Sequence, residues 1–159
     1  MAETKQQIKD TYPLPAYNYR VSIKSGGESA TISFAEVSGL SLEHEPVVYK
    51  HGFSFAMGNQ TLPGMKQPLN ITMRKGVTRQ GNYLYDWMDK AYNKPFYDKD
   101  KRDIVIDLCD ETGIALVRWK VQRAQPTKLD MPVFDAATNE VAIETMELIA
   151  HGLKVEYVV

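Results

Sequence analysis

Few side chains in this sequence are of types that do chemistry, and their spacing decides what they could do. The three histidines, His44, His51 and His151, are scattered along 159 residues. A protein zinc site needs closely spaced ligands, as in H-E-x-x-H or paired cysteines, and neither pattern occurs. The single cysteine, Cys109, shares a strand face with Val105. No base accompanies it, so it reads as a small packing residue rather than a nucleophile. Asp107, Asp110 and Glu111 form an acidic cluster. Their spacing fits a strand end and a turn, where Asp is favoured by local hydrogen bonding. Neither G-x-G-x-x-G nor the Walker pattern is present to cradle a phosphate. No catalytic, metal-ligating or cofactor-binding residue is expected, and no cofactor.

The remaining motifs read as surface. Lys99-Asp100-Lys101-Arg102 is mixed in sign, as a solvated turn is. Asn59-Gln60-Thr61 and Asn70-Ile71-Thr72 match the glycosylation triplet, but the polar start at residues 1–10 has no apolar signal region. A cytoplasmic origin is therefore expected. No apolar run approaches the ~20 residues of a membrane-spanning helix.

Around these residues the periodicity describes strands. Tyr17, Tyr19, Val21 and Ile23 alternate with Asn18, Arg20, Ser22 and Lys24, the signature of a half-buried strand. A turn at Gly26-Gly27 leads to strands at residues 31–37 and 41–49. Leu69, Ile71 and Met73 mark a fourth strand, and further strands fall at 103–109, 114–123, 127–129, 140–150 and 153–158. Leu84, Trp87, Met88 and Ala91 follow helical spacing, with Asn82 as N-cap and Asn93 and Pro95 as the stop. Trp87 and Trp119 are expected to meet where this helix covers the sheet. Residues 50–68, rich in Gly and Pro, read as a long inter-strand loop. The expectation is a mainly β fold of two packed antiparallel sheets, sandwich or barrel, with one flanking helix.

Length and charge narrow the function. One domain is expected, with residues 1–11 as an arm and 12–159 as the domain. Lys and Arg number 19 against 20 Asp and Glu, a net charge of −1. That balance argues against nucleic-acid recognition, which favours a basic excess. A domain with this many half-exposed strands must also dispose of its sheet edges, and pairing with other copies is one way. A ligand-carrying β-barrel would have similar strands, but no residue set marks its pocket.

Five stretches, in order, carry a family likeness. They are Tyr12-Pro13-Leu14-Pro15-Ala16-Tyr17; Phe34-Ala35-Glu36-Val37-Ser38-Gly39-Leu40; Leu62-Pro63-Gly64 with Asn70 to Val77; Leu84-Tyr85-Asp86-Trp87; and Asp135 to Leu148. Together they resemble the tail-tube proteins of contractile phage-tail-like particles, most of all the inner tubes of extracellular contractile injection systems. The resemblance implies a non-enzymatic structural subunit. Six copies would form a ring, and rings would stack around a lumen that carries cargo such as effectors. A sheath, a baseplate and tube-terminating proteins would be its partners. Assembly would occur in the bacterial cytoplasm, with the particle then released or anchored at a membrane. Phage tail tubes and type VI secretion tube-like proteins are the near alternatives.

The same resemblance makes 50–68 a contact loop. Phe53, Phe55 and Met57, with Leu62, Pro63, Gly64 and Met65, are expected to meet a neighbouring copy. Glu43, Glu45, Tyr49, Asn70, Thr72 and Arg74 are expected along strand edges that join copies. Exposed apolar side chains on a loop are costly unless covered. Replacing Phe53 and Phe55 together by Ser should leave a folded monomer with an unchanged circular dichroism spectrum but impair stacking. Tubes of normal length from that variant would refute the contact.

Overall fold

Residues alternating in polarity build ten strands among the described residues. These are β1 (Tyr19–Ser25), β2 (Glu28–Ile32), β3 (Glu36–Ser38), β4 (Val47–Tyr49), β5 (Gln60–Leu62), β6 (Leu69–Gly76), β7 (Arg102–Cys109), β8 (Ala115–Asp130), β9 (Ile143–Ala150) and β10 (Gly152–Tyr157). Three helices accompany them: α1 (Lys5–Thr11), α2 (Ser54–Met57) and α3 (Tyr83–Asn93). The computed structural model describes residues 4–93 and 101–158, without the side chains of Ser54 and Phe55. Pro95 of the expected helix stop and Lys99 and Asp100 of the expected turn lie outside the described residues.

The longest element is a bent hairpin. β8 runs antiparallel to β9 from Asp130↔Thr145 to Gln125↔Ile149. It then pairs with β10 from Gln122↔Gly152 to Val117↔Tyr157. The bend falls between these ladders. Arg123 takes φ 55° there, and a bulge interrupts β8 between Pro126 and Lys128. The His151 N–H still reaches the Gln122 carbonyl at 3.2 Å, so the chain turns the corner without losing its partner. The two short strands expected at 114–123 and 127–129 are thus one strand carried through a corner.

Each arm of that hairpin seeds a sheet. β2, β1 and β7 continue from the first half of β8, with β10 on its far side. β9, β6 and β3 continue from the second half. All pairings are antiparallel, and the expected two-sheet architecture is present. The inward faces meet in one core. Val21, Ile23, Ile104 and Val121 come from the first sheet, and Leu69, Ile71, Met73, Met146 and Leu148 from the second. α3 adds Leu84 and Trp87, both fully buried. Each such side chain contributes roughly 1.5–3 kcal/mol of burial. Arg102 lies over the Tyr83 ring at 5.0 Å and the Trp87 ring at 5.1 Å, a cation held against two aromatic faces. Trp119 packs on the same core from β8.

Several boundaries differ from expectation. The strand expected at 31–37 breaks into β2 and β3 because the chain there passes from one sheet to the other. Phe34 buries at the crossing, and the Ala35 N–H donates to the Arg74 carbonyl at 2.7 Å. The strand expected at 41–49 is regular only at β4. The loop expected at 50–68 instead contains α2 and β5, and β5 pairs with β4. Gly26 and Gly27, at φ 59° and 109°, close β1 onto β2 in a two-residue turn.

One ion pair sits inside the second sheet. Lys75 Nζ lies 3.3 Å from Glu144 Oε1, and both side chains are buried. Glu144→Ala would leave a buried ammonium unpaired and is expected to cost about 3–5 kcal/mol in urea unfolding. The double variant Lys75→Met, Glu144→Leu should recover most of that loss. Equal stability of the single and double variants would show the pair to be irrelevant.

Candidate assembly surface

The strands leave some edges paired and others open. β6 is hydrogen-bonded to β9 along its whole length and to β3 from Thr72 to Arg74. Within one subunit Thr72 and Arg74 thus lie between β3 and β9, and Asn70 pairs with β9 beyond the β3 ladder. The three residues point to the outward face of the second sheet, where Arg74 Nη1 meets Glu36 Oε2 at 3.2 Å. β2 and β3 end the sheet path, and β10 is bonded only to β8. β10 exposes Val155 and Tyr157.

Between β3 and β6 the chain leaves the body as an arm. His44 bridges Lys66, the Glu45 N–H donates to the Met65 carbonyl at 3.2 Å, and the Gln67 N–H donates to the Glu43 carbonyl at 2.8 Å. These bonds make a stem that continues into β4 and β5. Gly64 permits it: a Cβ there would collide with the Glu45 carbonyl. Glu43 and Glu45 thus belong to the stem, and Tyr49 to β4. Among the described side chains of the arm, the apolar ones find no cover. Phe53 is 68% exposed, Met57 77% and Met65 84%. Val47, Val48, Tyr49, Leu62 and Pro63 are also exposed. Phe55 lies in α2, and its side chain is outside the described residues. A two-stranded hairpin is only marginally stable in water by itself. This one carries its apolar residues outward.

A second apolar surface escapes the sequence reading. The loop at 131–142, between β8 and β9, exposes Met131, Val133, Phe134 and Val141. The run Met131-Pro132-Val133-Phe134 could have signalled it, because an apolar cluster beside a proline is neither strand nor solvated turn.

The outward face of the first sheet is ionic. Register places Arg20, Asp107, Arg118 and Glu156 in one row across β1, β7, β8 and β10. Arg118 Nε donates to Asp107 Oδ1 at 2.7 Å, and Arg20 Nη2 lies 3.3 Å from Asp107 Oδ2. Burial pushes the Asp107 carboxyl up, but hydrogen bonds and charge from Arg118 and Arg20 outweigh it and hold the pKa below the ordinary value. Lys120 Nζ meets Glu156 Oε2 at 2.8 Å. Cys109 is buried beside this row, its Sγ 3.6 Å from the Asp107 carbonyl. His44 sits in the arm stem and His151 at the hairpin corner, and among the described residues no three His, Cys, Asp or Glu side chains gather as metal ligands would.

The T4-like virus tail tube protein gp19 family matches residues 15–154. The chain belongs to that family. A chain of the PVC sheath–tube complex, an extracellular contractile injection system in its extended state, shares 33% identity at TM-score 0.84, over 99% of this chain and 100% of that one. The tube-terminating cap of the anti-feeding prophage is 34% identical at TM-score 0.78, covering 92% of this chain and 93% of its own. A type six secretion system protein, 9% identical at TM-score 0.53 over 87% of this chain and 83% of its own, is alike in fold alone. No curated protein sequence matches. The tail-tube fold is thus the one that positions the arm, the apolar loop and the two polar sheet faces of this subunit. No helix among the described residues is long and apolar enough to cross a membrane.

The ionic row yields a pH test. A carboxylate whose folded pKa is depressed stabilises the fold above its unfolded pKa of about 3.9 and loses that contribution as pH falls through the folded value. Asp107→Asn is expected to cost about 1.5–3 kcal/mol near pH 7, the range for hydrogen bonds to charged groups. The gap between variant and parent should narrow toward pH ~2. A gap in urea unfolding that stays constant over that range would mean Asp107 acts through shape and not charge.

Proposed function

We propose that this chain is the inner-tube subunit of a contractile injection system of the extracellular type. Six copies form a ring, rings stack into a rigid conduit, and contraction of a surrounding sheath drives that conduit into a target. The supporting observation is the match over the full length of both chains to a member of a sheath–tube complex at 33% identity. The likeness to a tube-terminating cap supports a terminator as a further partner. A baseplate would receive the first ring, and cargo would travel in the lumen.

On this reading the protein catalyses nothing. Its work is to stack reproducibly and to transmit force. The subunit is made and assembled in the bacterial cytoplasm, and the finished particle acts outside it. Residues 12–159 form the tube domain, and 1–11 are an arm whose helix α1 contacts the body through Lys9 and Glu111 at 3.3 Å. Phe53, Phe55, Met57, Leu62, Pro63, Gly64 and Met65 supply the contact between copies, joined by Glu43, Glu45 and Tyr49 on the stem and on β4.

Negative-stain microscopy of native particles from the producing cell tests the proposal. Long tubes inside a sheath are expected. Isolated rings without a sheath would favour a type VI tube-like role, and a monomer carrying a bound metabolite would favour a ligand carrier.

A further inference from the structure

We propose that the cavity between α3 and the β1–β2 turn is a binding site for a small carboxylate anion, with Arg102 and Tyr83 as its floor. The site lies within one subunit and is independent of the tube reading. Three observations lead there.

The first is a charge where the strand calls for an apolar side chain. Arg102 opens β7 and shares a face with Ile104 and Ile106. It is 7% exposed, although its place in the sequence reads as a solvated turn. α3 brings the Tyr83 and Trp87 rings against it, and their faces attract its charge. Ring faces do not take up the five N–H donors of a guanidinium. Arg102 Nε is buried and has no hydrogen-bond partner among the described residues, and the Tyr83 hydroxyl is in the same state. No ion pair joins Arg102 to a described carboxylate. Buried donors and charges in folded proteins are normally partnered. Two unpartnered donors on adjoining side chains, one of them cationic, set what a ligand must supply: an acceptor carrying negative charge.

The second is room. A cavity of about 200 Å³ opens at these side chains, lined by Arg102, Tyr83, Ser25, Glu28, Asp86 and Lys90. One water needs roughly 10–15 Å³ of such space, so an anion of a few atoms fits. Helical spacing lays Tyr83, Asp86 and Lys90 along one face of α3, which forms one wall. Tyr83 belongs to the first turn of that helix, the end that favours negative charge.

The third is the charge of the mouth, which narrows the ligand. Glu28, Asp86 and Lys90 are exposed where the cavity meets solvent, while Arg102 is buried within it. Two acids against one base repel a doubly charged anion more than a singly charged one. The planar fork of Arg102 matches a planar carboxylate, and the Tyr83 hydroxyl adds an uncharged donor. The site therefore favours a monocarboxylate over inorganic phosphate.

Thermal unfolding of the full-length chain tests the site, with sodium acetate as the probe and sodium chloride at equal ionic strength as the reference. Acetate at ten times its dissociation constant should raise Tm by about 3–5 °C, and phosphate should do less. Arg102→Met keeps an unbranched side chain against the two rings and removes the donors, so its Tm should not respond to acetate. Glu28→Gln removes a repelling charge from an exposed position and should tighten acetate binding several-fold. A role for Arg102 in packing alone predicts no such gain. Equal Tm in acetate and chloride for the parent and for Glu28→Gln would overturn the site, and so would a response that survives Arg102→Met. Asp98 and Asp100 lie between α3 and β7 in the sequence. A response confined to the variant Asp98→Asn, Asp100→Asn would mean that the chain's own acids take the cavity, which overturns a site for an added ligand. Should Arg102→Met not fold, acetate titration of the parent followed at the Arg102 Nε–H resonance decides: a shift is expected, and a resonance that stays in place would overturn the site.

Discussion

The corner in the β8 hairpin is the constraint on which the rest of the fold depends. A 16-residue strand would make one flat sheet with two wet faces. Turning it at Arg123 and at the bulge before Lys128 sets its halves at an angle, and each half recruits its own strands. The inward faces then enclose Ile104, Val121, Met73 and Met146, and α3 presses Trp87 into the same interior. Hydrophobic burial supplies the driving force, but the corner decides where that burial is possible.

The outward faces follow from the same geometry. Both sheets present paired charges and hydroxyls rather than apolar residues, seen in Arg20, Asp107 and Arg118 on one and Glu36, Arg74 and Thr72 on the other. Such faces do not associate by hydrophobic contact. Uncovered apolar side chains are concentrated in the arm, the 131–142 loop, the free edge of β10 and the segment before β1, where Tyr12 and Tyr17 are exposed. The subunit thus separates exposed apolar regions from polar sheet faces.

Much of the fold was legible in the sequence, because half-buried strands reveal themselves by a two-residue period. Val21 and Ile23, Leu69 to Met73, and the helix bearing Leu84 and Trp87 were all readable that way. Long-range choices were not. Nothing local shows that residues 31–37 must cross between sheets, or that β3 would cover the edge of β6. The arm has the composition of a loop because its glycines and prolines suppress the period, although its stem is held by ordinary backbone pairing. The exposed apolar loop at 131–142 is hidden for a related reason: composition shows that Val133 and Phe134 are apolar, and only the fold shows that they are exposed.

The arm's thin construction has a kinetic consequence. Two three-residue strands and a single helical turn gain little from ordering alone. On the proposed inner-tube reading, the free energy that fixes the arm comes from the surface it meets on a neighbouring copy. A lone pair of subunits fixes few arms and separates easily, whereas a subunit joining an existing ring end meets a surface already in place. On that reading spontaneous initiation is slow and growth from a template fast, so the number of tubes would follow the number of starting platforms rather than the concentration of subunits.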